Sequence, residues 1–345
     1  MKAKVTVSLC LLLLTLVGCQ KAGNSTLPTG PENDTEQTTT VQEDTSTQAA
    51  FSPGDYQFEI NVGGLKRTYI VYVLRGYDAE KPLPVVIVLH GGGGTGGDTM
   101  EMTKMPAKAD EAGFLAVFPD GTRPFPSQPA KFSTNPQTWN DGSGRGYSGK
   151  RNVDDVGFIN AMIDDIAAKF KVDQQRIYAT GLSNGASMAF RLGVELSRRI
   201  AAIAPVAGAF WMENPQLISH PVPMLYITGT DDPLNPIEGG PISAPWWGYS
   251  DVKPPVQDTI MKWVNLIDCP DKPEVIYDNN GIKVLAYKPC QGNAEVIYYT
   301  VEGLGHHWPG GKSEPYLPER IVGKTSNKLI ANNVIWDFFQ KHPVK

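Results

Sequence analysis

The sequence predicts an α/β fold, a mostly parallel central sheet with helices on both faces. Three observations carry this. Pro84-Val85-Val86-Ile87-Val88-Leu89 is a continuous apolar run, the mark of a strand covered on both sides. Such runs alternate with stretches of helical periodicity, as at Ile159, Met162, Ile163, Ile166, Ala167 and Phe170, and that alternation implies parallel strands joined by crossovers. Third, Gly181-Leu182-Ser183-Asn184-Gly185 lies between Arg176-Ile177-Tyr178-Ala179, a strand pattern, and Ser187 to Leu192, rich in helix formers.

The elements follow in order. Tyr56 to Val62 and Arg67 to Val73 alternate about Gly63-Gly64 and predict an antiparallel hairpin. The strand ending at Leu89 runs directly into His90-Gly91-Gly92-Gly93-Gly94. A helix is expected over 98–112, a buried strand over 114–118, and a long loop over 119–151 that carries Trp139-Asn140-Asp141-Gly142. A helix begins near Asp154-Asp155. After the Gly-x-Ser-x-Gly come strands over 201–206 and 224–228, then an irregular Pro- and Trp-rich stretch to about Pro255. A helix over 259–266, strands over 282–287 and 296–300, and a closing helix over 329–339 complete the chain.

The N-terminus reads differently. Met1-Lys2-Ala3-Lys4 is basic, and the apolar run Val5 to Val17 is too short to span a bilayer, which is the pattern of a secretory signal. It ends in Leu16-Val17-Gly18-Cys19, similar to a bacterial lipobox. The expectation is a lipoprotein signal peptide over 1–18, with Cys19 lipidated and holding an exported protein at the cell surface or outer membrane. A plain cleaved signal with a chance cysteine is the alternative. Residues 19–50 are Thr, Gln, Glu, Asn and Ser with few large apolar side chains, so a disordered tether is expected there and the catalytic domain over 51–345.

Composition excludes some classes. With 41% hydrophobic and 19% charged residues and a net charge of -5, no basic block exists to neutralise phosphates, and no nucleic-acid partner is expected. Cys269 and Cys290, 21 positions apart in a chain read as exported, suggest one disulfide, with two unlinked buried thiols as the alternative.

A serine in a sharp strand-to-helix turn is the nucleophile elbow of the α/β-hydrolase fold, where the turn lifts its hydroxyl above the sheet. Ser183 then needs a base, and imidazole suits neutral pH. Five histidines are available: His90, His220, His306, His307 and His342. The chain order Ser, acid, His excludes His90, which is better read as a structural residue of the glycine turn. His220 precedes the strand expected to deliver the acid, and His342 lies in the tail. His306, behind Gly305, is preferred over His307. The acid should follow the 224–228 strand, where Asp232 is preferred over Asp231 and turn capping is the non-catalytic reading of either. Backbone N–H groups of Asn184 and of Gly92 or Gly93 are the candidate oxyanion donors. A phosphate cradle at Gly91 to Gly97 lacks the Gly-Lys-Ser/Thr ending. Adjacent histidines point apart and no His-Glu-x-x-His helix occurs, so neither metal nor cofactor is expected. The resulting chemistry is attack of Ser183 on an ester carbonyl, then hydrolysis of the acyl-enzyme by water.

From about Tyr56 onward the chain resembles the polyhydroxybutyrate depolymerase and feruloyl esterase family of secreted bacterial esterases. The residues that carry this are Leu89-His90-Gly91-Gly92, Trp139-Asn140-Asp141-Gly142, Val153 to Phe158, the elbow, Gly305-His306-His307-Trp308-Pro309-Gly310 and Val334 to Phe339. The resemblance implies Ser183, Asp232 and His306 as the triad and supports the Cys269–Cys290 bridge. It implies feruloyl, aryl or acetyl esters of polysaccharides, or hydroxyalkanoate esters, as substrates, so the partners would be a plant cell-wall polysaccharide or a polyester. No polymer-binding module is readable after the catalytic domain, which weighs against a solid-polymer depolymerase. Trp139, Asn140 and Trp308 are candidate substrate-binding residues, with rim packing as the other reading of the tryptophans. The enlarged segment Pro236 to Pro255, with Trp246-Trp247, is read either as a lid or aryl-binding wall or as loop packing. Competing functions are a serine peptidase of the same fold and a surface binding protein without chemistry.

Overall fold

A computed structural model describes residues 51–344 apart from 214, 216, 217, 245–248 and 314–316. The expected signal peptide, Cys19 and the tether lie outside the described residues, as do Trp246 and Trp247.

The elements in chain order are β1 (Gly54–Val62), β2 (Leu65–Val73), β3 (Leu83–Leu89), α1 (Gly96–Thr103), α2 (Met105–Ala112), β4 (Leu115–Pro119), α3 (Gly146–Lys150), α4 (Asp155–Lys169), β5 (Val172–Leu182), α5 (Asn184–Glu195), β6 (Ala202–Val206), β7 (Met224–Gly229), β8 (Gly240–Ala244), β9 (Tyr249–Lys253), α6 (Val256–Leu266), β10 (Glu274–Asn279), β11 (Ile282–Tyr287), β12 (Val296–Val301), α7 (Glu319–Val322) and α8 (Ala331–Phe339). Ten strands form one sheet in the order β1-β2-β4-β3-β5-β6-β7-β12-β11-β10. The six strands from β4 to β12 run parallel, and antiparallel strands close both edges.

Alternate residues of the apolar strands serve opposite faces. Val85, Ile87 and Leu89 of β3 pack with Phe158 and Ile163 of α4, Met188 and Phe190 of α5 and Trp263 of α6. Val86 and Val88 pack on the other face with Met102 of α1, Met105 of α2 and Phe338 of α8. Burial on both faces is why these strands read as unbroken apolar runs.

Three local expectations change. The helix expected over 98–112 is two helices, because Lys104 takes φ 55 and Pro106 follows at the start of α2. The irregular stretch before Pro255 contains the β8–β9 hairpin, with Gly240 opposite Lys253. β10 was not expected; every one of its residues is exposed, Val275, Ile276 and Tyr277 included, so no face of it is buried against the core.

Two long-range links hold the frame. Arg67 and Asp155 form an ion pair at 2.7 Å, both buried. Burial pushes the Asp155 carboxyl up, opposed by the Arg67 charge and the amide of Asn140, which donates to it at 2.7 Å. Asp155→Ala strands a buried guanidinium and a backbone N–H, so we expect a loss of about 3–5 kcal/mol, read from the urea midpoint. The second link is the Cys269–Cys290 disulfide, joining the segment after α6 to the turn after β11. Replacing both cysteines by alanine should lower stability by about 3 kcal/mol on the loop-entropy account, measured in the same way.

Candidate active site

The elbow forms because β5 must reverse into α5 within one residue. Ser183 occupies that turn at φ 59, ψ -117, a strained conformation for a residue with a side chain. Its N–H donates to Val206 O at 2.9 Å, so β6 holds the turn in place. The elbow also presses against the end of β3. A Cβ on Gly185 would lie 2.3 Å from Leu89 O, which is why that position must be glycine.

Asp232 follows β7, and His306 follows β12. These strands are parallel neighbours, and β5 lies two strands from β7, across β6 and parallel to both, so all three side chains issue from the carboxyl-terminal edge of the sheet. His306 Nδ1 donates to Asp232 at 2.8 Å from Oδ2 and 3.0 Å from Oδ1. Oδ1 also accepts the N–H groups of Leu234 and Asn235, each at 2.8 Å. A carboxylate can only accept, so Nδ1 carries the proton and Nε2 is left with its lone pair. Both side chains are almost wholly buried, and Ser183 is half-buried.

The neighbouring candidates are turned elsewhere. Asp231 is exposed and bonded to Thr230. His307 donates through Nε2 to Gly323 O at 3.0 Å, and burial pushes its pKa down. His90, buried under Trp139, donates through Nδ1 to Gly91 O at 2.7 Å and accepts from Gly121 N–H at 2.8 Å through Nε2. Both its nitrogens are engaged and burial pushes its pKa down, so it is a neutral brace for the glycine loop, as its place in the sequence suggests.

The glycine loop separates the two oxyanion candidates. Gly93 N–H donates to Gln137 O at 2.7 Å and is spent, so Gly93 is set aside as a donor. The amides of Gly92 and of Asn184, at the first turn of α5, take no hydrogen bond among the described residues and remain available. The Asn184 side chain ties the elbow to the long loop: Oδ1 accepts Trp139 N–H at 2.8 Å, and Nδ2 donates to Trp139 O and Asp141 Oδ2.

Those bonds correct the substrate-wall reading. Trp139 is fully buried, its Nε1 donating to His90 O at 3.0 Å. Asn140 is buried, with its amide on Asp155 and its Nδ2 on Val153 O. Trp308 is buried, with Nε1 on Asn332 Oδ1 at 2.8 Å, while Asn332 reaches Thr103 O. Neither tryptophan lines a cavity, and Asn140 borders only a second one of about 370 Å³, beside Gly142, Asn152 and Arg191. All three bind loop to loop, and the rim-packing reading holds for both tryptophans.

Open space lies beside the glycine loop instead. A cavity of about 580 Å³ is lined by Gly93, Gly94, Met102, Phe132, Leu317 and Ile321. Elsewhere, Lys253, Arg145 and Trp211 gather from three segments that carry no shared sequence signal. Among the described residues, no group of three or more His, Cys, Asp or Glu side chains converges as a metal ion would require, and no helix is long and apolar enough to cross a membrane.

A parallel sheet with a strained serine at a strand end and a His–Asp pair at the neighbouring ends defines an α/β-hydrolase. The comparisons agree: the chain is a carboxylic ester hydrolase of the serine class, related to the feruloyl esterases and poly(hydroxyalkanoate) depolymerases that its motifs resemble. Residues 77–247 match the Phospholipase/Carboxylesterase family, a little under half of the chain. A protein named as an esterase, NocK, of Nocardia uniformis is 27% identical over 81% of this chain and 81% of its own length. Feruloyl esterase B of Piromyces equi is 27% identical over 71% of this chain and 44% of its own. Poly(3-hydroxyalkanoate) depolymerase C of Paucimonas lemoignei is 27% identical over 73% of this chain and 60% of its own. The chain thus spans less than two thirds of the last two.

Proposed function

We propose that Ser183 is the nucleophile, His306 the general base and acid, and Asp232 the group that orients His306. The observation that carries this is the Asp232–His306 pair at the strand ends beside the strained elbow. Ser183 Oγ adds to the ester carbonyl as its proton passes to His306 Nε2, and the amides of Asn184 and Gly92 donate to the oxyanion. Collapse breaks the bond to the alkoxy oxygen, which takes the proton from His306. Water then adds to the acyl-Ser183, again through His306, and releases the acid.

The cavity beside Gly93 and Gly94, with Met102, Phe132, Leu317 and Ile321 on its walls, suits an aryl or other apolar half of the ester. Together with the feruloyl esterase among the relatives, this favours aryl esters of the feruloyl type carried on a polysaccharide, ahead of acetyl esters and hydroxyalkanoates. Two measurements test the reading. A fluorophosphonate should add stoichiometrically to Ser183 and abolish turnover; labelling at another residue overturns the assignment. Methyl ferulate should exceed acetylated xylan and hydroxybutyrate oligomers in kcat/KM, and the reverse order overturns the substrate class.

We also infer export with anchoring through Cys19, from the basic start, the apolar run and Leu16-Val17-Gly18-Cys19. Cys19→Ala should move the protein from the membrane to the soluble fraction. Retention at the membrane refutes the anchor.

A further inference from the structure

Lys253 closes the β8–β9 hairpin, directly before α6. It is only 7% exposed, an uncommon position for a lysine. Its Nζ lies 5.1 Å from the centre of the Trp211 ring, and the Arg145 guanidinium stacks on the same ring at 3.6 Å. Arg145 is paired with Asp251, whereas Nζ of Lys253 makes no hydrogen bond among the described residues. Trp211 adds a second idle donor, since its Nε1 is buried without an acceptor among the described residues. The Lys253 ammonium, on a side chain almost wholly buried, and the buried indole N–H of Trp211 lie side by side, and neither has an acceptor among the described residues.

The place of this cluster matters as much as its chemistry. Asp232 and Asp141 lie close enough to Lys253 to act on its charge, and Asp141 is bonded to Asn184 beside the nucleophile. Phe210 and Met212, either side of Trp211, pack with the core of α4, α5 and α6. Met102 of the aryl cavity packs with the core of α1, α2 and α8. The segment that carries Trp211 and the cavity residue Met102 therefore belong to opposite faces of the sheet.

We propose that Lys253 and Trp211 form a subsite for a carboxylate carried by the half of the ester that lies away from the aryl cavity. This rests on the reading of Ser183 as nucleophile. The carboxylate meets the ammonium and the indole N–H, and the Arg145 stack holds the ring that presents the latter. The acid group belongs either to the acyl half, as in a dicarboxylic half-ester, or to the alcohol half, as in a uronic acid or a hydroxy acid.

The test compares matched esters that differ only in charge. 4-Nitrophenyl hydrogen adipate against 4-nitrophenyl hexanoate places the carboxylate on the acyl half. 4-Carboxyphenyl butyrate against 4-carbamoylphenyl butyrate places it on the alcohol half. One pair should show a charged-over-neutral ratio of kcat/KM that falls roughly 10- to 100-fold in Lys253→Met and is largely kept in Lys253→Arg. Which pair responds identifies the source of the acid group. Ratios unchanged in Lys253→Met overturn the subsite and leave Lys253 as a brace of the hairpin.

A second readout needs no variant. Burial, then Arg145, lowers the Lys253 pKa to about 8, against the raising influence of Asp141, Asp232 and Asp251. The preference should fade as pH rises through that value, because the ammonium loses its charge; a ratio flat from pH 7 to 9 counts against the proposal. Failure of the nucleophile reading looks different, since Ser183→Ala would then keep turnover of both members of each pair.

Discussion

Ser183→Ala should lower kcat for a 4-nitrophenyl ester by about 10⁴- to 10⁶-fold while leaving the fold intact. The loss is of that size because the base and the oxyanion donors then have no nucleophile to serve, and water reaches the carbonyl only from bulk. Stability should not fall, since alanine meets the same backbone at φ 59 and the Ser183 N–H still bonds to Val206 O. Steady-state kinetics with a denaturation curve checks both halves. A variant that turns over at more than about one hundredth of the parent rate would move the nucleophile elsewhere.

Asp232→Asn should cost about 10³- to 10⁴-fold in kcat with little change in KM. Two backbone N–H groups, of Leu234 and Asn235, hold the Oδ1 position at 2.8 Å each, so the carboxamide oxygen must stay there. The NH₂ then falls at the Oδ2 position, 2.8 Å from His306 Nδ1. A donor facing a donor at the nearer contact leaves Nδ1–H only the 3.0 Å approach to an oxygen that already accepts two N–H groups, which favours the imidazole proton on Nε2, the nitrogen that has to accept from Ser183. The defect is one of tautomer with geometry preserved, so ¹⁵N chemical shifts of His306 should show Nε2 protonated. A variant of near-parent activity would remove Asp232 from the triad.

How legible the site was follows from these same bonds. Candidates for the serine, acid and histidine were readable because each follows an apolar strand, and parallel strands deliver their carboxyl ends to one edge whatever the intervening loops contain. The preference for His306 over His307 also agrees with the pairing seen, because Gly305 allows the approach: a Cβ there would lie 2.2 Å from Val322 O. The roles of Trp139 and Trp308 were not readable. A tryptophan packs a rim or lines a cleft with the same side chain, and only its neighbours decide which. Gly92 and Gly93 are equally alike in sequence, and what separates them is the Gln137 carbonyl that accepts one of the two amides.

The chain by itself determined the order of the central strands and the helices that cover them, the elbow, and the small set of residues able to do acyl-transfer chemistry. Those properties are local, set by periodicity, by side-chain type and by what adjoins what along the backbone. Tertiary structure alone decided that Arg67 meets Asp155, that Trp139 and Trp308 are buried, and that Lys253, Arg145 and Trp211 share one place. Each of these is a meeting of residues far apart in the chain, brought about by sheet order and loop closure, and no stretch of sequence carries a trace of its distant partner.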